Sequence, residues 1–197
     1  MMDAVLLLGS YLVGSIPFGL LLGRLRGIDV RRAGSGNIGA TNVMRTGGKA
    51  AGIATLCLDA AKGATPVLVA RGAGVPQAMQ VAAGLATVLG HCYPIYLRLR
   101  GGKGVATAAG AFAVLSPIAV GVAAVAFAVV LGVSRIVSAS SCAAALALPV
   151  AAFARGESAV GLGAISVSAI VLWRHRDNLA RIRSGTERRL GRPEADR

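Results

Sequence analysis

Apolar residues in this chain gather into long runs, at residues 4–23, 50–70, 76–97, 105–131, 136–154 and 158–173, with short polar stretches between them. Crossing a hydrocarbon core about 30 Å thick takes roughly 20 helical residues, so the runs read as transmembrane helices. The 105–131 run is longer than one crossing needs, and Ser116-Pro117 interrupts it where a helix prefers to end.

Cations occupy the polar stretches. Arg24, Arg26, Arg31, Arg32, Arg45 and Lys49 lie in 24–49, Arg98, Arg100 and Lys103 in 98–103, and eight arginines follow from Arg174 onward. The positive-inside rule places all three stretches on the cytoplasmic side, which requires an odd number of crossings. Splitting 105–131 at Ser116-Pro117 gives seven, the expected number. Keeping it whole and merging the last two runs gives five, the alternative. The expected fold is therefore an all-α, polytopic integral membrane helical bundle. It forms a single domain over 1–197, with cytoplasmic motif loops at 24–49 and 98–104 and a cytoplasmic tail at 174–197. Alternating β-barrel patterning and internal repeats are missing from the sequence.

Composition narrows the class further. With 55% hydrophobic and 15% charged residues and a mean hydropathy of +0.68, no soluble domain of any size is expected. A net charge of +13 would point to nucleic acid in a soluble protein. Here the cations flank apolar spans, so they indicate topology and attraction to anionic lipid headgroups or substrates, and no nucleic-acid partner is expected. The first run begins MMDA, with an acid and no basic leader, and meets Arg24 without an A-x-A cleavage site; it reads as a retained helix. Cys57, Cys92 and Cys142 lie far apart beside apolar residues and read as small buried residues.

Candidate chemistry concentrates in three clusters. The stretch "GSGNIGATNVMRTGGK", 34–49, holds five glycines, two asparagines, two threonines and two cations. Gly34-x-Gly36-x-x-Gly39 matches a dinucleotide fingerprint on paper, but the strand and βαβ unit which that motif needs are missing beside a membrane helix. What survives is glycine backbone able to approach an anion, with cations beside it. "GHCYPIYLRLRGGKG", 90–104, repeats this recipe, with His91 near the end of one run and Gly101-Gly102-Lys103-Gly104 before the next, where a helix N-terminus favours a phosphate. In "WRHRDNLARIRSGTE", 173–187, Trp173 reads as an interfacial anchor, and a continuing helix would show His175 and Asn178 on one face. Within the second run, Asp59 and Lys62 are charges at membrane depth, either an ion pair fixing helix packing or a substrate-facing lysine. With only eight acids and no H-x-x-x-H or D-x-D cluster, neither a metal site nor a cofactor is expected.

Together these clusters resemble the bacterial acyl-phosphate:glycerol-3-phosphate acyltransferase (PlsY) family. The resemblance rests on Ser35-Gly36-Asn37-Ile38-Gly39-Ala40-Thr41-Asn42 with Arg45 and Gly48, and on Gly90-His91-x-Tyr93-Pro94 leading to Gly101-Gly102-Lys103-Gly104-Val105-Ala106-Thr107. It rests also on Arg174-His175-x-x-Asn178 with Arg181, Gly185 and Glu187. Leu58-Asp59-x-x-Lys62-Gly63 and the Ser138 to Ser141 stretch are similar as well. Leu179, Ile182, Tyr96 and Gly47 are mild departures.

The resemblance implies a seven-helix bacterial inner-membrane enzyme with its active site at the cytoplasmic face. It would move a fatty acyl group from acyl phosphate to the sn-1 hydroxyl of glycerol 3-phosphate, giving lysophosphatidic acid and inorganic phosphate, the first committed step of bacterial phospholipid synthesis. Acyl-CoA and acyl carrier protein would not be donors, and functional coupling to an acyl-phosphate-producing enzyme follows. The H-x-x-x-x-D pair of other glycerolipid acyltransferases is missing, since Tyr96 and Ala180 stand five residues after His91 and His175. Lys103, His175, Asn178 and Arg45 are the expected catalytic residues. Ser35, Gly36, Asn37, Gly39, Thr41, Asn42, His91, Gly101, Gly102, Gly104, Ser141, Lys62 and Glu187 are expected to bind substrate. Loop N–H groups would help hold the phosphates, and either His175 or the donor's own phosphate would take the hydroxyl proton. The rival reading is a membrane transporter of small phosphorylated anions, which polar clusters at one face disfavour.

Overall fold

The computed structural model describes residues 2–191, and every regular element among them is helical. The chain divides into two compact units, one running to Leu115 and the other beginning at Ser116.

In the first unit, α1 (Met2–Ser15) and α2 (Phe18–Arg24) form one interrupted apolar stretch. The break falls at Ile16-Pro17, because proline has no N–H to continue the ladder. The polar stretch 24–49 is not all loop: it contains α3 (Ala40–Gly47), and Gly48, at φ +90°, turns the chain directly into α4 (Lys49–Gly72). The 76–97 run is helical only as α5 (Gln77–Cys92), since Pro94 restricts the residue before it. A 3-10 turn at Ile95–Leu97 follows, and α6 (Val105–Leu115) begins immediately after Gly104.

Missing side chains set the helix spacing in this unit. A Cβ on Gly14 would lie 2.1 Å from the Thr87 carbonyl oxygen and one on Gly90 2.2 Å from that of Tyr11, so α1 and α5 touch backbone to backbone. The same holds for α4 and α6, where a Cβ on Gly63 would sit 2.0 Å from the Thr107 oxygen. Small residues that let backbones meet are the usual adhesive where lipid removes the hydrophobic drive between helices. Tyr11 adds a hydrogen bond from its hydroxyl to the Tyr93 carbonyl, 2.7 Å.

The second unit contains α7 (Pro117–Ser134), α8 (Val137–Ala154), α9 (Ser158–Arg174) and α10 (Arg176–Arg183). The expected interruption of 105–131 is present: α6 stops at Leu115, and Pro117 opens α7, where its lost N–H is harmless. Helix α8 packs on both α7 and α9, and the Ser168 hydroxyl reaches across from α9 to the Ala145 carbonyl. Arg135, at φ +57°, makes the turn between α7 and α8. A bend of 59° at His175 separates α9 from α10, so the third cluster does not run as one continuing helix.

By length and apolarity, Met2–Arg24, Lys49–Gly72, Pro117–Ser134 and Val137–Ala154 can each cross a membrane, and the bent α9–α10 pair makes a fifth candidate. With 16 and 11 residues, α5 and α6 are shorter, so this criterion gives four or five crossings where the sequence led us to expect seven. The chain is a multi-span integral membrane protein. Outward-facing Val125, Val129 and Val133 on α7 are 60% exposed or more, as a lipid-facing surface requires. Cys92 and Cys142 are buried as expected, whereas Cys57 is exposed on α4.

Because Gly63 has no room for a methyl group, Gly63→Ala should destabilise the protein by at least about 2 kcal/mol, the scale of overpacking. Gly9, with nothing within 4 Å of its would-be Cβ, should tolerate alanine or gain slightly from helix propensity. Thermal unfolding of the two variants in detergent checks this.

Candidate active site

The first cluster is built on an apolar footing. Val30, Ile38 and Val43 are buried with Leu20 of α2 and Ala51 of α4, so the loop's underside joins the core while its polar top stays accessible. Gly19 makes this possible, since a Cβ there would lie 1.8 Å from the Ile38 oxygen. Asn42, 2% exposed, then organises the loop. Its Nδ2 donates to the carbonyls of Val30 (2.9 Å), Asn37 (2.8 Å) and Ala33 (3.1 Å), and its Oδ1 accepts from the Ser35 N–H at 2.8 Å. Asn37 accepts from the Gly39 N–H at 2.8 Å. Gly34 is required here twice over: φ is +60°, and a Cβ would lie 2.3 Å from Asn42 Oδ1.

The polar atoms of the Asn42 side chain are thus engaged in holding the loop. The N–H groups of Ser35, Gly36 and Gly39 already donate within the loop, to Asn42, the Ala33 carbonyl and Asn37 respectively. What the loop presents outward is exposed Ser35 and Gly36, exposed Thr41 on the first turn of α3, and exposed Arg45 on its last turn.

The second cluster rests on a buried charge group. Asp59 and Lys62 pair at 2.9 Å with side chains 2% and 3% exposed. Lys62 Nζ also donates to the Ile16 carbonyl at the α1–α2 break at 2.7 Å, and lies 5.6 Å from the Phe18 ring centroid. Lys62 therefore faces protein groups, which favours the packing alternative over a substrate-facing one. His91 Nδ1 lies 3.6 Å from the same Asp59 oxygen, and the ring is buried.

Against this group lies the Gly101–Gly104 turn. The N–H groups of Gly101 and Gly102 donate to the carbonyls of Cys92 (3.2 Å) and His91 (3.0 Å), so they too are used internally. Their glycines are needed for close approach: a Cβ on Gly102 would lie 2.1 Å from His91 Nε2, and one on Gly101 2.2 Å from the His91 oxygen. Gly104, at φ +82°, releases the chain into α6. Half-buried Lys103 is thereby set just before a helix N-terminus, whose first N–H groups and dipole favour an anion. Ahead of the turn, Arg98 and Leu99 adopt φ of +50° and +63°, strained values for residues with side chains.

In the third cluster Glu187 is a hub. Its Oε1 accepts from Ser138 Oγ at 2.7 Å and Asn178 Nδ2 at 2.6 Å, and its Oε2 accepts from Arg181 Nε at 2.7 Å. Glu187 and Asn178 thus bond to each other, and the carboxylate serves the protein more than a ligand. Burial by itself would raise its pKa, but the hydrogen bonds from Asn178, Ser138 and Arg181 outweigh that and hold it below the ordinary 4.5. His175 is buried at the bend, with Nδ1 2.8 Å from the Val171 carbonyl. A carbonyl only accepts, so Nδ1 carries the proton and Nε2 is the lone-pair nitrogen of the neutral ring. Ser141 is buried on α8, and its hydroxyl donates to the Val137 carbonyl at 2.9 Å, leaving acceptor capacity.

The organising roles of Asn42 and Ser138 were not visible in the sequence.

Comparison with known proteins shows the family. The profile of the family described as Glycerol-3-phosphate acyltransferase matches residues 4–185. Curated proteins of the same name are 53% identical in Myxococcus xanthus, over 96% of this chain and 100% of that protein, and 49% identical in Geobacter sulfurreducens, over 95% and 97%. The chain also superimposes on a crystal structure of PlsY (YgiH), an integral membrane glycerol 3-phosphate acyltransferase in its glycerol 3-phosphate form. There the TM-score is 0.93, at 38% identity over 97% of this chain and 96% of that one. The lysophosphatidic acid form gives a TM-score of 0.91 and 37% identity.

A folded-state pKa below the unfolded value means that the contribution of Glu187 to stability is complete at neutral pH and is lost as pH falls through about 4.5 and below. Thermal midpoints measured from about pH 7 to pH 3 should fall more steeply in the wild type than in Glu187→Gln, which starts lower at neutral pH.

Proposed function

The chain belongs to the glycerol-3-phosphate acyltransferase family, and from that premise we propose that it transfers a fatty acyl group from acyl phosphate to the sn-1 hydroxyl of glycerol 3-phosphate. The product would be lysophosphatidic acid, with inorganic phosphate released. The observation that carries this reading is the Gly101–Gly104 turn, which sets Lys103 at the start of α6 in the manner of a phosphate-holding element.

In the proposed reaction the glycerol hydroxyl oxygen attacks the acyl carbon, the bond from that carbon to the phosphate oxygen breaks, and phosphate departs with the bonding electrons. An acyl phosphate is a mixed anhydride with a good leaving group, so the protein needs little nucleophile activation and much cation placement. Arg45 and Lys103 supply the cations, helped by N–H groups at the N-termini of α3 and α6 and not by the internally bonded loop amides. Ser35, Thr41 and Ser141 supply polar contacts. His91, Asn42 and Glu187 act as supports. Either His175 or the departing phosphate takes the hydroxyl proton. Asn178, fixed by Glu187, holds its surroundings. Neither a metal nor a cofactor takes part. The site would face the cytoplasm from the bacterial inner membrane, and an acyl-phosphate-producing enzyme would supply the donor.

Purified protein in lipid, given glycerol 3-phosphate with either palmitoyl phosphate or palmitoyl-CoA, should form lysophosphatidic acid only from the acyl phosphate, with a chelator present. Lys103→Met should lose about 100- to 1,000-fold in rate, as for removal of a charge-stabilising donor, while Lys49→Met stays near wild type. Product from palmitoyl-CoA, or equal small losses from both variants, would reject the donor or the role of Lys103. Failure with both donors, together with glycerol 3-phosphate uptake by sealed vesicles, would favour transport.

A further inference from the structure

The Asp59–Lys62 pair has more contacts than helix packing needs. Lys62 alone joins α4 to the α1–α2 break, through the Ile16 carbonyl. Asp59 turns the other way, to His91 at the end of α5. The ring of His91 abuts Gly102, and its carbonyl accepts the Gly102 N–H. On the opposite flank of the turn, the same stretch of α4 meets α6 directly: a Cβ on Gly110 would lie 1.8 Å from the Ala60 oxygen, and Gly63 lies against Thr107. The segment between α5 and α6 is therefore held at both ends by residues 59–63, and Lys103 lies on it.

We infer that Asp59, acting through Lys62 and His91, is a positioning residue for the Gly101–Gly104 turn, fixing where Lys103 presents its cation. The inference deepens the acyltransferase reading and rests on it for the catalytic consequence. Its geometric content stands apart from that reading: loss of the Asp59–His91 contact displaces the turn and changes the surroundings of Lys103. A buried ion pair can often be replaced by uncharged groups without loss of stability, whereas removing one partner leaves a charge unpaired. The double variant Asp59→Asn/Lys62→Met therefore separates positioning from folding.

The chain has three lysines, at 49, 62 and 103, which allows a readout independent of activity. Full-length protein in lipid would be treated briefly with an amine-acylating reagent, and modification of Lys103 relative to exposed Lys49 read by mass spectrometry. In Asp59→Asn and in the double variant the Lys103 to Lys49 ratio should change at least about threefold at an unaltered thermal midpoint of the double variant. Steady-state kinetics on the same samples should show kcat/KM for palmitoyl phosphate falling about 10- to 100-fold, the effect of misplacing a catalytic group by about 1 Å. A purely structural role would lower the midpoint and leave the labelling ratio of the folded protein unmoved. An unchanged ratio in the folded double variant would overturn the inference even with the acyltransferase fully active. A changed ratio in a protein with no acyltransferase activity in its wild-type form would uphold the positioning geometry and reject the reaction.

Discussion

A carbonyl stranded at a helix break inside hydrocarbon has no water to turn to, and lipid offers it nothing. At the α1–α2 break the protein itself supplies the donors to the Ile16 oxygen, the Phe18 N–H at 3.2 Å and Lys62 Nζ from 46 residues away. A buried ammonium needs a counter-charge, which Asp59 supplies one helical turn earlier. The carboxylate in turn draws His91 toward α4. That ammonium, its carboxylate partner and His91 tie the α1–α2 break, α4 and α5 together. The glycines at 14 and 90 bring α1 and α5 backbone to backbone, and those at 63 and 110 do the same for α4 and α6.

The same economy governs the motif loops. Glycine-rich backbone beside cations suggests amides aimed at an anion, but many of these amides bond to Asn42, Asn37 or the end of α5. Their glycines serve close approach and left-handed turns. In the proposed reaction, anion recognition falls instead to side-chain cations and to the first turns of α3 and α6. In the second unit the hub at Glu187 does comparable work for Asn178 and Arg181.

Much of this could be read from the sequence because it is local. Apolar runs marked the helices, Ser116-Pro117 marked a break, and Gly101–Gly104 marked the start of α6. Helix α3 escaped notice because its eight residues, ATNVMRTG, are too polar and too short to stand out as a helix. The bend at His175 escaped because nothing in WRHRDN breaks a helix; neither proline nor glycine is present. The commitments of Asn42, Lys62 and Glu187 depend on partners distant in sequence, such as Ser138 for Glu187. No periodicity carries that information.

The apolar footing beneath the first loop has one further consequence. A segment whose carbonyls and amides are already matched, and whose valines and isoleucine are sunk into the core, has little conformational freedom left to surrender. An anion arriving there does not have to organise the chain around itself, so the entropic penalty of binding falls on the ligand and on a few long side chains such as Arg45. Recognition would then be fast and rigid, with the receptor shaped before its guest arrives.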